Sequence, residues 1–315
     1  MEATAARLVG RRRIELRPEQ LEPREDEVLI RVAACGICRG DVDLFDREHE
    51  EPRRFGHEPV GEVVAVGPWA KKIAEGDRVV GCLGGGFATH TAARESEVYS
   101  VPAELGDEAC LAEALKCVTT VIRAAAPDFG DTALVAGCGF MGLAVVSALA
   151  QNCLSRLIAV DPVESRRALA LKLGATHALD PNADDVRHQV FDLTEDLGAD
   201  VAVEFAGRPD AVTSAARSLR RRGRLVLGGG HTVGGEHGKD IYMGAITVHH
   251  VPPAFSPDQA DDWRRAVDAM AAGRFPLDKL VTHRFKLSGI QEALETASAG
   301  VDAGYLKGII LNDLG

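Results

Sequence analysis

Three short stretches of this 315-residue chain carry residue types and spacings that could do chemistry: ACGICRGD (34–41), RFGHEPVGEVVAVG (54–67) and GCGFMG (137–142). The first holds two thiols as C-x-x-C, which is half of a structural zinc site or a redox pair. A structural zinc needs two more ligands at similar spacing. The remaining cysteines, at 82, 110, 117, 138 and 153, supply no second C-x-x-C. A thioredoxin-like pair opens a helix, and RGDVDLF is only weakly helical, so Cys35 and Cys38 are not expected to share a metal. In the second stretch His57 and Glu58 follow a glycine, just ahead of a strand-like alternation. From residue type alone this pair reads as metal ligands or as a hydrogen-bonded turn.

The third stretch, Gly137, Cys138, Gly139, Phe140, Met141, Gly142, has the form G-x-G-x-x-G. It gains weight from its context, because a strand-like TALVA precedes it and a helical pattern follows. Gly137 would allow the tight turn, Gly139 the approach of a pyrophosphate, and Gly142 close helix–strand packing. The helix N-terminus would attract the phosphates. Asp161 ends the next strand, 19 positions past Gly142, near the roughly 20 expected of an acidic ribose ligand. A carboxylate there repels a 2′-phosphate, which favours NAD over NADP. Arg166 and Arg167 could relax that preference.

The elements that must position these residues fall into two textures. Residues 1–116 read as mostly β, with β-branched runs punctuated by glycine and proline. From 117 strand and helix patterns alternate, which predicts a parallel, doubly wound sheet. The apolar run 133–150 has transmembrane length, but its glycines divide it into strand, turn and buried helix, so no membrane span is expected. The final segment reads as strand, helix, strand. The expected organisation is a catalytic domain of 1–116 with 256–315, around a nucleotide-binding domain of 117–255.

Composition narrows the function. Hydrophobic residues make up 46% and charged residues 26%, with a net charge of −11. This is an ordinary globular composition, and no basic footprint suits nucleic acid or an anionic membrane. The N-terminus has no apolar signal core. Together with seven cysteines in strand or helix contexts, this predicts a cytoplasmic protein with reduced thiols.

Taken in order, EVLIRVAACGICRGDVDLF, GHEPVGEVVAVG, GDRVV, the glycine loop and THRFKLSGIQEALE…GYLKGII resemble the medium-chain zinc-dependent alcohol and polyol dehydrogenases, nearly end to end. The resemblance implies an α/β fold: a GroES-like, mostly-β catalytic domain plus a Rossmann nucleotide-binding domain. It makes Cys38 and His57 catalytic-zinc ligands, Glu58 a ligand or near-ligand, Asp41 the residue orienting His57, and Arg39 a pyrophosphate contact. One thiolate, one imidazole and one carboxylate leave an open position, as catalytic zinc sites do. The polyol-dehydrogenase alignment places a further carboxylate at Glu113. A shift of three residues would place Lys116 there, and an ammonium cannot ligate zinc without losing its proton.

Two departures stand out. The family usually has x-Ser/Thr-Asp after the cysteine, whereas this chain has Arg39-Gly40-Asp41. The hydroxyl that starts a proton relay is missing. The proton must then leave through water, Glu113, His49 or the substrate's own hydroxyls. Many relatives also insert a four-cysteine lobe after GDRVV. Here GCLGGGFATHTAARES follows directly, so no structural zinc is expected. The resulting expectation is an NAD-dependent enzyme with one catalytic zinc per chain, acting on a secondary alcohol or ketone, perhaps a polyol, cyclitol or sugar-like molecule. A homodimer or homotetramer is expected by resemblance. The alternatives are a zinc-free quinone or enoyl reductase of the same fold, or a non-catalytic dinucleotide-binding protein.

Overall fold

The computed structural model describes residues 1–81, 83–183, 185–230, 236–252, 256–275 and 279–314. Cys82, the cysteine beside the missing lobe, lies outside them. The chain divides into two compact units, Met1–Leu115 with Trp263–Gly315, and Lys116–Asp262.

The first unit opens with the hairpin β1 (Glu2–Gly10) and β2 (Arg13–Gln20). There follow β3 (Glu27–Gly36), α1 (Arg39–Phe45), β4 (Arg53–Arg54), β5 (Glu58–Val66), β6 (Arg78–Gly81), β7 (His90–Arg94) and β8 (Val98–Ser100). Helix α2 (Ala112–Ala125) crosses the unit boundary.

The second unit alternates strand and helix: β9 (Thr132–Ala136), α3 (Phe140–Leu149), β10 (Arg156–Val160), α4 (Glu164–Lys172), β11 (His177–Leu179), α5 (Val186–Leu193), β12 (Ala199–Glu204), α6 (Pro209–Arg217), β13 (Leu219–Leu227), α7 (Glu236–Gly244) and β14 (Thr247–His250). Helix α8 (Gln259–Ala271) crosses back, and β15 (His283–Lys286), α9 (Ile290–Ala299) and β16 (Gly308–Leu311) complete the first unit.

The second unit is the expected doubly wound sheet, with parallel strands in the order β11-β10-β9-β12-β13-β14. Strand β9 is buried throughout and α3 nearly so. Burial on both faces explains the uncharged run 133–150 without any lipid. Among the described residues no helix is long and apolar enough to cross a membrane. The order reverses at β9/β12, and the loop after β9, Gly137–Gly142, leaves the sheet at this switch point, where ligands bind in open α/β sheets.

In the first unit β15-β16-β3-β5-β6-β8 form one sheet, with β7 also on β3. The last strand, β16, thus lies beside β3, and β3 beside β5. Val42 and Phe45 of α1 pack with Leu287 and with Ile290, Ala293 and Leu294 of α9 in one apolar cluster. That packing holds α1, although its seven residues are too few to be stable alone.

Candidate active site

Cys38 stands at the turn from β3 into α1, as the residue capping the helix. Its backbone N–H donates to Asp41 Oδ2 at 2.9 Å. The other oxygen, Oδ1, accepts from Gly56 N at 3.2 Å and faces His57 Nδ1 at 3.5 Å. One carboxylate, 1% exposed, thereby ties together the cysteine turn and the histidine turn. Gly56 makes the second turn possible. Its φ is +86°, and a Cβ there would lie 2.6 Å from the Phe87 ring, so a side chain would be both strained and blocked.

Glu58 opens β5 opposite Gly36 of β3. A Cβ on Gly36 would collide with the Glu58 carboxylate, so the glycine makes room for the acid. The sulfur of Cys38, an imidazole nitrogen of His57 and a carboxylate oxygen of Glu58 all lie within 4.8 Å of one another. Zinc–ligand bonds of about 2.0–2.3 Å in tetrahedral array need ligand atoms roughly 3.3–3.8 Å apart. The donor set therefore fits zinc after small side-chain adjustments. His57 is 29% exposed, so the cluster is open on one side.

The main partner of Glu58 is one that sequence reasoning did not find. Lys307 Nζ, directly before β16, donates to Glu58 Oε1 at 2.8 Å and Oε2 at 2.7 Å. Both side chains are almost fully buried, at 3% and 1%. Thr282 sets the lysine by accepting from Lys307 N and donating to Lys307 O. A lysine ahead of the apolar GIIL gives no sign of burial. Only the pairing of β16 with β3, and of β3 with β5, brings it to Glu58.

Electrostatics follow from this packing. Burial disfavours the His57 imidazolium, but hydrogen bonds to Asp41 and Cys38 outweigh it and push the pKa up to about 12 without metal. Burial also disfavours the Lys307 ammonium, and the Glu58 carboxylate more than offsets it, so the lysine stays charged. Tyr305, whose hydroxyl accepts from Gly308 N at 2.8 Å, is pushed up to about 12, chiefly by burial. Cys35 is 1% exposed in the apolar cluster, and burial raises its thiol well above the usual range.

Glu113 is buried in the first turn of α2, outside the Cys38–His57–Glu58 group, and Lys116 is buried on the same helix. Arg39 is largely exposed, with its Nε on Asp43 at 2.9 Å. Arg54, a candidate for meeting substrate, instead pairs with Glu19 at 3.0 Å and donates to Gly85 O and His90 O. His49 bonds the Leu44 carbonyl at the end of α1.

In the second unit Gly137 has φ +92°, and a Cβ would lie 2.5 Å from Ala206 N. Gly139 caps α3, with open space at its Cβ position. A Cβ on Gly142 would overlap the Gly137 carbonyl. Phe140 is buried and Met141 half-buried in the first turn of α3. Asp161, 3% exposed, accepts from Cys138 N at 2.7 Å and Val163 N at 2.8 Å. The residue thus pins the glycine loop to the end of β10. Arg166 Nη1 lies 4.0 Å from Asp161 Oδ2, while Arg167 donates to the Asp161 carbonyl and pairs with Asp180.

Residues 24–103 match the family model described as alcohol dehydrogenase GroES-like domain, and residues 141–272 match zinc-binding dehydrogenase. The chain belongs to the zinc-type medium-chain dehydrogenase/reductases. L-threonine 3-dehydrogenase of Pyrococcus abyssi is 29% identical, over 89% of this chain and 90% of its own. Sorbitol dehydrogenase of Bacillus subtilis is 28% identical, over 86% of each. The crystal structure of 2R,3R-butanediol dehydrogenase from Bacillus subtilis superposes with a TM-score of 0.89 at 27% identity, covering 99% of this chain and 100% of that one. This medium-chain enzyme is accordingly an oxidoreductase of the alcohol dehydrogenase type.

Proposed function

We propose that this chain is a zinc-dependent, NAD-linked dehydrogenase that interconverts a polyhydroxylated secondary alcohol and its ketone. The observation that carries the reading is the convergence of Cys38, His57 and Glu58 at the end of β3 and the start of β5. A zinc held there supplies Lewis acidity that favours loss of the alcohol proton, and NAD supplies the hydride acceptor, so the products are ketone, NADH and a proton.

The residues have separate tasks. Cys38 and His57 hold the metal, Asp41 orients the imidazole, and Glu58 is a ligand or near-ligand restrained by Lys307. Glu113 is the candidate further carboxylate. Gly137, Gly139, Phe140, Met141 and Gly142 form the turn for the pyrophosphate, and Arg39 is its candidate charged contact. Asp161 takes the adenosine ribose. Its buried carboxylate supports NAD over NADP, although Arg166 stands near enough to moderate that choice. With a single C-x-x-C in the chain, we assign no structural zinc. The odd cysteine count supports a cytoplasmic site of action. Strand β14 ends the sheet order with a half-exposed pattern, which supports a homodimer or a tetramer of dimers built by strand pairing.

Elemental analysis tests the metal assignment. About one zinc per chain is expected in the purified protein and near none in Cys38→Ser. NAD reduction should be faster with polyols than with simple alcohols. No zinc in protein never exposed to chelator would defeat the reading and favour a zinc-free reductase.

A further inference from the structure

Helix α1 has a glycine as its second residue, with no steric reason for one. Gly40 is not among the glycines of positive φ. Among the described residues, and beyond its chain neighbours and its own helix, a Cβ there would meet only His57 Cε1 within 4 Å, at 3.8 Å. That is an ordinary contact. It contrasts with Gly36 and Gly56, where a Cβ would strike its surroundings. Glycine inside a helix costs roughly 0.5–1 kcal/mol relative to alanine. The fold therefore carries a small destabilisation to keep a side-chain-sized space against the exposed edge of the His57 ring.

We propose that this space is a substrate subsite, and that Gly40 is a specificity-determining residue. The subsite receives the carbinol group next to the reacting carbon of a vicinal diol or polyol. Size and polarity both point there. The absent group is about one hydroxymethyl, and a substrate carbinol has that size. The surroundings are an imidazole, the Arg39–Asp43 ion pair and the turn held by Asp41, which suit a hydroxyl better than a methyl. The neighbouring hydroxyl then stands where the protein provides none, as the hydrogen-bond partner of the reacting hydroxyl. This rests on the dehydrogenase reading above and adds the substrate class.

The test uses the full-length protein and the variants Gly40→Ala and Gly40→Ser. Metal-free Gly40→Ala should melt no lower than wild type, since the methyl finds room; a drop of several degrees would show that no such space exists and would overturn the proposal. In the zinc-loaded enzyme with NAD, the kcat/KM ratio of 2,3-butanediol over 2-butanol should fall about tenfold in Gly40→Ala, mainly through a higher KM for the diol. Gly40→Ser should lower the ratio further by raising turnover of 2-butanol. A ratio unmoved in both variants, with an active wild type, would overturn the subsite alone. A wild type inert toward every secondary alcohol would overturn the dehydrogenase reading and the subsite with it.

Discussion

Replacing Lys307 by methionine keeps most of the buried stem and removes only the cation facing Glu58. The carboxylate, 1% exposed, then has lost both of its 2.7–2.8 Å charge-assisted bonds. Breaking a buried ion pair by deleting one partner costs about 3–5 kcal/mol. For a unit of roughly 150–250 residues each kcal/mol moves Tm by about 2–4 °C. Metal-free Lys307→Met should therefore melt about 6–20 °C below wild type. Zinc should reverse much of this, because a divalent cation beside Glu58 supplies the missing charge. By linkage, whatever stability zinc restores appears as tighter binding. A recovery of about 2 kcal/mol corresponds to roughly thirtyfold in zinc affinity. Calorimetric melting of chelator-treated and zinc-loaded protein, with a competition titration for zinc, measures both quantities. The double variant Lys307→Met/Glu58→Gln should regain most of the loss. Equal Tm drops with and without zinc, or a double variant no more stable than the single one, would refute the claim that Lys307 restrains a carboxylate available to the metal.

Three further outcomes are expected. Folding favours the protonated form of Tyr305, so its contribution is complete below the ordinary tyrosine pKa near 10 and is lost as pH rises from about 10 to 12. Absorbance titration of tyrosinate should show one late-titrating phenol that disappears in Tyr305→Phe. Asp161→Ala should lower kcat/KM for NAD by about 10–100-fold, as expected for losing a hydrogen bond worth 1.5–3 kcal/mol, and shift preference toward NADP, with Arg166→Ala reversing that shift; an unchanged NAD/NADP ratio would remove Asp161 from the ribose site. In a Cys153→Ser background, Cys35, Cys110 and Cys138 should resist thiol reagent, since burial raises all three. Chelator should expose Cys38, and a thiol count unaffected by chelator would speak against Cys38 as a ligand.

Much of this protein was legible in the sequence because the information is local. Alternating strand and helix patterns specify the parallel sheet, since each element must bury its own apolar face. The glycine loop and Asp161 are separated by one strand–turn–helix–strand unit, whose length fixes their spacing. Cys38, Asp41, His57 and Glu58 sit in motifs short enough to read by type. What only the tertiary structure decided is which charges meet. Lys307 lies 249 positions from Glu58 and reaches it because β16 pairs beside β3. No periodicity records such a non-local pairing. Arg54 looked available to substrate and is instead committed to Glu19 and two carbonyls. Gly40 read as the loss of a hydroxyl. The three-dimensional packing adds that the space left behind is open and borders His57, because the volume around a residue belongs to its neighbours in the fold and not to its neighbours in the chain.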